Sequence, residues 1–305
     1  MKEKFTIDYK PQAKTVQKIN WVNAIIDEYQ AQGYTLTLRQ LFYQFVSRNY
    51  IENSRKEYDS LSEALTNARM AGLVDWEGIE DRGRVPRIPS CTNSIQDALL
   101  QTAQDFRVNR QSWQDNYIEV SSEKDALSGI LERLTNYYHI NLIINKGYNS
   151  TTGAYGVAQR IKKQLANGKK FCYILYLGDH DPSGLDMVRD VNDRLNLMNV
   201  TEGFEVKHIA LTTAQVELYK PPENKLKKDN YGKWKDPRGP AYFKKFGNKS
   251  WEVDALSPAL ITELLQTEIE SIIDIETFRK VCEIENKWKQ ELFEMAENNA
   301  EAVSA

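Results

Sequence analysis

Short apolar runs alternate with amphipathic stretches from about residue 117 to residue 219. The runs fall near 117–121, 140–145, 171–178 and 206–212, and their length predicts buried strands. The stretches between and after them repeat apolar residues at helical spacing, near 124–136, 152–166, 184–198 and 213–219. Strands that alternate with helices form a parallel sheet with right-handed crossovers. The pattern therefore predicts an α/β domain.

The N-terminal pattern is different, because three amphipathic helices precede a short segment with several arginines. The helices are predicted over about 11–32, from Thr37 onward, and over 55–71. Residues 73–85 are expected to form a β-hairpin. Three helices followed by such a wing predict a winged helix-turn-helix, which is a DNA-binding shape. Arginines of this region could line its phosphate side: Arg69, Arg82 and Arg84.

These patterns divide the chain of 305 residues into three parts. Residues 1–90 are predicted to be a helical winged-helix domain, and residues 94–219 the α/β domain. A proline-containing segment of small polar residues joins them. Residues 220–305 are predicted to hold a basic loop followed by two acidic helices. The length allows each of the two main domains its own core.

Carboxylates follow two of the predicted strands. Asp179 and Asp181 come directly after the apolar run 173–177, and Glu123 follows the strand near 117–121. In parallel sheets, ligands bind beyond the carboxyl ends of the strands. Paired carboxylates there suit Mg²⁺, so we expect Glu123, Asp179 and Asp181 to form a metal site. The simpler alternative is that the two aspartates only cap the next helix.

A second candidate for chemistry lies on the helix that begins after Thr37. Thr37 and Gln40 have the spacing of a capping box, and Arg39 and Tyr43 are four residues apart on one helical face. A guanidinium can hold a phosphate while a neighbouring phenol attacks it. The alternative is that Tyr43 is an ordinary half-buried aromatic residue.

The charge distribution changes the meaning of the net charge of −3. Residues 250–305 hold 13 acidic and 4 basic side chains, so the other 249 residues carry 36 basic and 30 acidic ones, a net of +6. Residues 220–249 contain ten Lys or Arg and three acids, with aromatic residues among them. Such a segment is suited to a nucleic-acid backbone, with Lys227 and Lys228 as candidate contacts. A solvated surface loop and a dimer contact are alternatives.

The composition favours a cytoplasmic protein with no membrane partner. No run of about 18 apolar residues is present, and the start, Met1 to Lys4, has no apolar core of a signal peptide. The three cysteines are scattered without Cys-x-x-Cys spacing, which indicates neither a zinc site nor a disulfide framework.

The motifs together resemble a known family. A Glu after the first strand and Asp-x-Asp after a later one are typical of Toprim domains. The wording Glu123-Lys124-Asp125-Ala126, then Lys146-Gly147-Tyr148, then Asp-x-Asp-Pro-x-Gly resembles the A subunit of type IIB topoisomerases and its meiotic double-strand-break relatives. Arg39 and Tyr43 match that family's Arg-x-x-Tyr-Tyr motif, with Phe42 in place of the first tyrosine. The resemblance covers about residues 35 to 219.

The resemblance implies a function. Tyr43 would attack double-stranded DNA, Arg39 would hold the phosphate, and Mg²⁺ on Asp179 and Asp181 would stabilise charge. Glu123 would complete the metal site or move a proton, and Lys146 would contact phosphate because its segment borders the catalytic centre in the family. The family implies a homodimer in which the tyrosine acts at the partner's metal site, and a separate ATPase subunit for a full topoisomerase.

Two further functions stay open from the sequence. The same carboxylates could serve a Toprim nuclease that hydrolyses DNA or RNA with water, as in mobile-element defence, and Tyr43 would then be structural. A non-catalytic DNA-binding factor on the same scaffold is the other alternative. Retention of three clustered carboxylates argues against that factor, because buried like charges are costly without a role.

Overall fold

A parallel sheet of four strands is the centre of the molecule. The computed structural model describes residues 2–5, 9–80, 89–145 and 150–303. The strands lie in the order β4-β3-β5-β6, and every pair is parallel. Their bounds are β3 Asn116–Ser122, β4 Asn141–Ile144, β5 Phe171–Leu177 and β6 Phe204–Ala210. The predicted mixed α/β fold is confirmed at this level.

Helices cover both faces of the sheet, because side chains alternate along each buried strand. On β5, Leu175 and Leu177 pack into the core shared with α5 and α10, whereas Ile174 and Tyr176 pack into the core shared with α6 and α7. The helix bounds are α5 Ser128–Tyr138, α6 Thr151–Ala166, α7 Pro182–Leu197, α8 Thr213–Tyr219 and α10 Pro258–Ile272.

The N-terminal part contains the three predicted helices around a separate apolar core. They are α1 Ala13–Ala31, α2 Leu38–Ser47 and α3 Arg55–Met70. The predicted wing is only partly described, because residues 81–85 lie outside the described residues. In the described part, β2 Ile79–Glu80 pairs in parallel with β1 Leu36–Thr37. Because these two strands are parallel, they do not form a hairpin with each other.

The C-terminal part contacts the end of β5 and then continues into two helices, α10 and the last helix of the chain. The segment predicted as a basic loop contains β7 Glu223–Asn224, α9 Gly239–Phe246 and β8 Ser250–Trp251, and β7 and β8 pair antiparallel. The last helix, α11 Ile275–Val303, packs on α4 Ile95–Asp105. None of the helices in the described residues is long and apolar enough to cross a membrane.

Candidate metal and nucleic-acid site

The parallel register brings Glu123 and Asp179 together. β3 and β5 are neighbours, and Ser122 at the end of β3 pairs with Leu177 at the end of β5. The residues that follow therefore leave the sheet at the same edge. The Oε1 atom of Glu123 accepts a hydrogen bond from the backbone N–H of Asp179 at 3.0 Å. Glu123 and Asp179, which are 56 positions apart in the sequence, are thus in direct contact.

Asp179 is buried, with only 8% of its surface exposed to solvent. Its Oδ1 accepts from the N–H of Val253 at 2.9 Å, and its Oδ2 lies 2.7 Å from the Nζ of Lys124. Burial raises the pKa of Asp179 to about 7, with further raising by Asp254 and Glu123 and lowering by Lys124. Negative charge at this position is therefore costly without a nearby cation.

Asp181 has a structural role at the start of α7. Its Oδ1 accepts from the N–H of Gly184 at 2.7 Å and from the Ser183 hydroxyl at 2.9 Å, so it caps the helix as the simpler alternative predicted. Asp181 also lines the cleft described below. Burial raises the pKa of Glu123, and the charge of Asp181 adds to this effect. Asp181 therefore caps α7 and also adds negative charge beside Glu123.

His180, which lies between the two aspartates, points elsewhere. It is fully buried, and its ring nitrogens contact the hydroxyls of Tyr242 at 2.7 Å and Thr213 at 2.9 Å. Its backbone forms a bridge with Trp251. These contacts fix α9 and β8 against the end of β5, so the basic segment forms one side of the site.

Two acidic residues of the site were missed by the sequence analysis. Glu252 and Asp254 follow β8, and the Nζ of Lys124 lies 3.1 Å from Glu252 and 3.9 Å from Asp254. The sequence does show Glu-x-Asp after a strand-like run, which is the same signal as at Asp179.

Arg39 reaches the same cluster from α2. Its guanidinium forms ion pairs with Glu252 and with Asp254, the latter at 2.9 Å from Nε to Oδ2. Both bonds of the predicted capping box between Thr37 and Gln40 are present, and they fix the first turn that carries Arg39. Arg39 also lines the cleft beside the carboxylates. The structure therefore places one arginine at the cleft, next to the carboxylates.

Tyr43 lies one turn further along α2 and is only 4% exposed. The guanidinium carbon of Arg39 is 5.7 Å from the centre of its ring. Burial raises the pKa of Tyr43, Asp254 raises it further, and Arg39 and a hydrogen bond with Asn224 lower it. The tyrosine thus shares charged neighbours with the carboxylate cluster of its own chain, although its hydroxyl is shielded from solvent.

The cluster contains more acidic than basic side chains, so its charge favours the binding of a cation. Five carboxylates face two basic side chains, Lys124 and Arg39; the carboxylates are Glu123, Asp179, Asp181, Glu252 and Asp254. The Oδ1 of Asp254 is buried without a hydrogen-bond partner. Within the described residues, no group of three or more His, Cys, Asp or Glu is already arranged as a metal site. Oxygen ligands suit Mg²⁺ chemically, and Lys124 now holds the position between them.

A cleft of about 440 Å³ connects the carboxylates to the basic segment. Asp179, Asp181 and Glu252 line one side, and Lys227 and Trp234 line the other. The neighbouring Lys228 does not line it, since its ammonium lies 4.2 Å from the centre of the Trp234 ring. Of the two predicted lysine contacts, the structure places Lys227 at the cleft and Lys228 beside it.

Arg69, another predicted nucleic-acid contact, does not line this cleft. Arg69 donates to the backbone carbonyls of Trp76 and Ile79, and its guanidinium lies over the Trp76 ring at 4.5 Å. It therefore fixes the segment that follows α3. Lys146, Arg82 and Arg84 lie outside the described residues, so their positions stay predictions from the sequence.

Comparisons with known proteins add no relative. No protein-family model matches the sequence, and no curated protein matches it. The likeness to Toprim domains therefore depends on the motif residues and on their position at the strand ends.

Proposed function

We propose that this chain is a Mg²⁺-dependent enzyme that cleaves DNA strands by transesterification, with Tyr43 as the nucleophile. One observation carries the proposal: Glu123 and Asp179, which belong to separate strand ends, lie in contact at one edge of a parallel sheet. This is the edge at which α/β proteins bind ligands. The winged-helix form of the N-terminal part belongs to the same proposal.

Glu123, Asp179 and Asp181 would hold the metal ion. When bound, Mg²⁺ would polarise the phosphate and offset charge on the leaving oxygen. Glu252 and Asp254 extend the cluster, and the buried Oδ1 of Asp254 is free to accept a further bond. Lys124 would shift from its position between the carboxylates, since its flexible stem carries a point charge that a divalent ion can displace.

Tyr43 would form the new bond to phosphorus, and the bond from phosphorus to the sugar oxygen would break. The phenolic proton would pass to solvent, and the departing sugar oxygen would take up a proton, which Glu123 would supply if it does not serve as a ligand of the metal. Burial raises the pKa of Glu123, which is the direction that a general acid requires. Arg39 would leave its carboxylate partners and pair with the phosphate.

The arrangement supports attack within one chain. The resemblance implies a tyrosine that acts at the partner's metal site. Here Arg39 and Tyr43 share their charged neighbours, Asp254 and Lys124, with the carboxylates of the same chain. A homodimer and an ATPase subunit stay predictions that come from the resemblance alone.

Hydrolysis by water is the second candidate, and the burial of Tyr43 favours it. Tyr43 is only 4% exposed and does not line the cleft, so its attack on a phosphate bound there would require a movement of the chain. Water needs no such movement, because the cleft beside Asp179 and Asp181 is open. In that case the same carboxylates would hydrolyse DNA or RNA, and Tyr43 would support Arg39.

A plasmid assay separates these functions. Supercoiled DNA is incubated with the chain and Mg²⁺, the reaction is stopped with detergent, and protein-linked DNA is collected on a filter. Transesterification predicts linked ends that are lost in Tyr43→Phe and kept in Tyr155→Phe, which changes an exposed tyrosine on α6. Cleavage that survives Tyr43→Phe but not Asp179→Asn indicates hydrolysis. Strand breaks in neither case, with DNA binding retained, indicate the non-catalytic factor.

A further inference from the structure

A β-hairpin projects from the rim of the cleft, and we call residues 227–235 the basic hairpin. The N–H of Lys235 donates to the carbonyl of Lys227 at 3.2 Å, and the N–H of Asp229 donates to that of Lys233 at 2.8 Å. The Oδ1 of Asp229 accepts from the N–H groups of Tyr231 and Lys233, both at 2.9 Å. These bonds hold the tip in one shape.

The tip presents an aromatic ring to solvent. Tyr231 is 90% exposed, which makes it the most exposed of the large hydrophobic side chains in the described residues. Gly232, with φ of 78°, provides the left-handed turn that directs the chain back. The turn therefore holds an aromatic ring in the solvent, where both of its faces are available to a partner.

The surroundings of the ring identify the chemistry of that partner. The basic hairpin contains four lysines and one aspartate: Lys227, Lys228, Lys233, Lys235 and Asp229. Basic side chains track a phosphate backbone, while aromatic rings stack on bases. Trp234 is less available for stacking, because Lys228 covers its ring and Gly239 packs against it. Tyr231 is therefore the free stacking surface.

The cleft beneath the hairpin limits the form of the nucleic acid. Lys227, Trp234 and Lys235, at the base of the hairpin, line the cleft together with Asp179 and Asp181. The cleft volume of about 440 Å³ lies within the range of sites that hold one small ligand. It can therefore take a nucleotide of one strand, but not both strands of a paired duplex. Tyr231 is four residues from Lys227, at most about 13 Å along an extended chain.

We propose that the basic hairpin binds an unpaired nucleic-acid strand and guides it into the carboxylate cleft, with Tyr231 stacked on a base. The inference deepens the proposed function, on which it rests for the role of the cleft, by naming the substrate class. The strand reaching the carboxylates is single-stranded, or is a locally unpaired part of a duplex. Duplex DNA would contact only the outer lysines.

Binding without cleavage tests the inference directly. Fluorescence anisotropy is measured in EDTA with a labelled 20-nucleotide thymidine strand, its uridine RNA counterpart, and a matched duplex. We expect the single strands to bind at least about tenfold more tightly than the duplex. Tyr231→Ala is expected to weaken single-strand binding by about tenfold, the size of one lost stacking contact, and to leave duplex binding unchanged.

Matched variants keep the test specific. Tyr231→Phe retains the ring and is expected to bind as the unchanged chain does. Tyr155→Ala removes another exposed tyrosine, on α6, and should have no effect. Replacing Lys227 and Lys233 by Gln should lower the slope of log affinity against log salt by about 1.4, because two phosphate contacts are lost. Similar thermal melting of all variants shows that the fold is kept.

Failure of the inference and failure of the proposed function give different results. Equal affinity for single strand and duplex, or full single-strand affinity in Tyr231→Ala, overturns the inference even where cleavage depends on Asp179. Single-strand binding that depends on Tyr231 supports it even where no cleavage or covalent product is found. The DNA and RNA arms then show which sugar the cleft accepts.

Discussion

Arg39 on α2 forms an ion pair with Asp254, whose side chain is completely buried, at 2.9 Å from Nε to Oδ2. The two residues are 215 positions apart, so the pair joins the N-terminal helical part to the segment that follows β8. The residue that the sequence identifies as a phosphate clamp therefore has a structural partner in the substrate-free chain. Any phosphate must compete with two carboxylates for the same guanidinium.

Arg39→Ala is expected to lower the free energy of unfolding by about 2 kcal/mol. Breaking a fully buried pair costs about 3–5 kcal/mol, because one charge is left without compensation. The Arg39 side chain is 44% exposed and Lys124 stays near Asp254, so the lower figure applies. Urea unfolding at neutral pH measures the change.

The control for that loss is a surface pair of the same type. Arg55→Ala removes an exposed ion pair with Asp59 one turn away, which should cost at most about 0.5 kcal/mol. Asp254→Asn in the Arg39→Ala background should recover part of the lost stability, since it removes the unpaired charge. Equal losses for Arg39 and Arg55 would contradict a stabilising role for the buried pair.

The pH dependence of stability should show the cost of burying the Asp179 carboxylate. Burial raises its pKa to about 7, far above its usual 3.8, so the folded chain holds this proton more strongly than the unfolded chain. Stability from this group is therefore present at low pH and lost as pH rises through 7. Without metal, we expect the free energy of unfolding to rise by on the order of 2 kcal/mol from pH 8 to pH 5.5.

Asp179→Asn isolates that contribution. The variant carries no titrating group at this position, so the rise between pH 8 and pH 5.5 should shrink by the same amount. Chemical unfolding at several pH values in EDTA gives the comparison. A rise of the same size in Asp179→Asn would assign the effect to other groups.

Gly184 in the first turn of α7 should tolerate no side chain. A Cβ there would overlap the backbone carbonyl of Asp179, and backbone cannot move aside as a flexible side chain can. Gly184→Ala should therefore displace the loop that carries Asp179 and Asp181, with a loss of about 2 kcal/mol and of Mg²⁺-dependent cleavage. Thermal melting and the plasmid assay measure the two effects.

Gly156 provides the matched control, because it also lies in a helix. A Cβ at Gly156 would meet only the end of the Arg160 side chain, at 3.4 Å. Gly156→Ala should therefore be neutral or stabilise by up to about 1 kcal/mol, as the helix propensity of alanine predicts. If both glycine variants were equally stable, close packing could not explain why position 184 is a glycine.

The sequence was sufficient to predict the meeting of Glu123 and Asp179. Parallel strands with apolar runs of similar length end at the same edge of the sheet, where ligands bind. The α2 capping box was also predictable, because its bonds are local. Both predictions depend on interactions between near neighbours or on the regular geometry of a sheet.

Glu252 and Asp254 could not be placed in the same way. They reach the cluster through β8, a strand of two residues that pairs with β7 and bridges to His180. Such short pairings depend on tertiary packing and leave little periodic signal. The extent to which Tyr43 is buried could not be predicted either, since the core around it combines residues of three helices with Ala255 from the C-terminal part.

Lys124 should compete with Mg²⁺ for the carboxylates. Its Nζ is 2.7 Å from Asp179 and 3.1 Å from Glu252, so it already supplies the positive charge that these groups require. Lys124→Met keeps the length of the side chain and removes that charge. We expect the metal-free variant to lose about 2–4 kcal/mol of stability, because the buried Asp179 loses its ion pair while Glu252 and Asp254 keep theirs with Arg39.

Mg²⁺ should restore that stability and bind the variant more tightly, by about tenfold, since no cation has to be displaced. Titration calorimetry measures the affinity, and melting with and without Mg²⁺ measures the rescue. Lys170→Met is the control, because Lys170 and its partner Asp115 are both exposed and precede β5 and β3, at the opposite end of these strands from the carboxylates. Weaker Mg²⁺ binding in Lys124→Met would instead show that the lysine supports the metal site, and the displacement step would have to be abandoned.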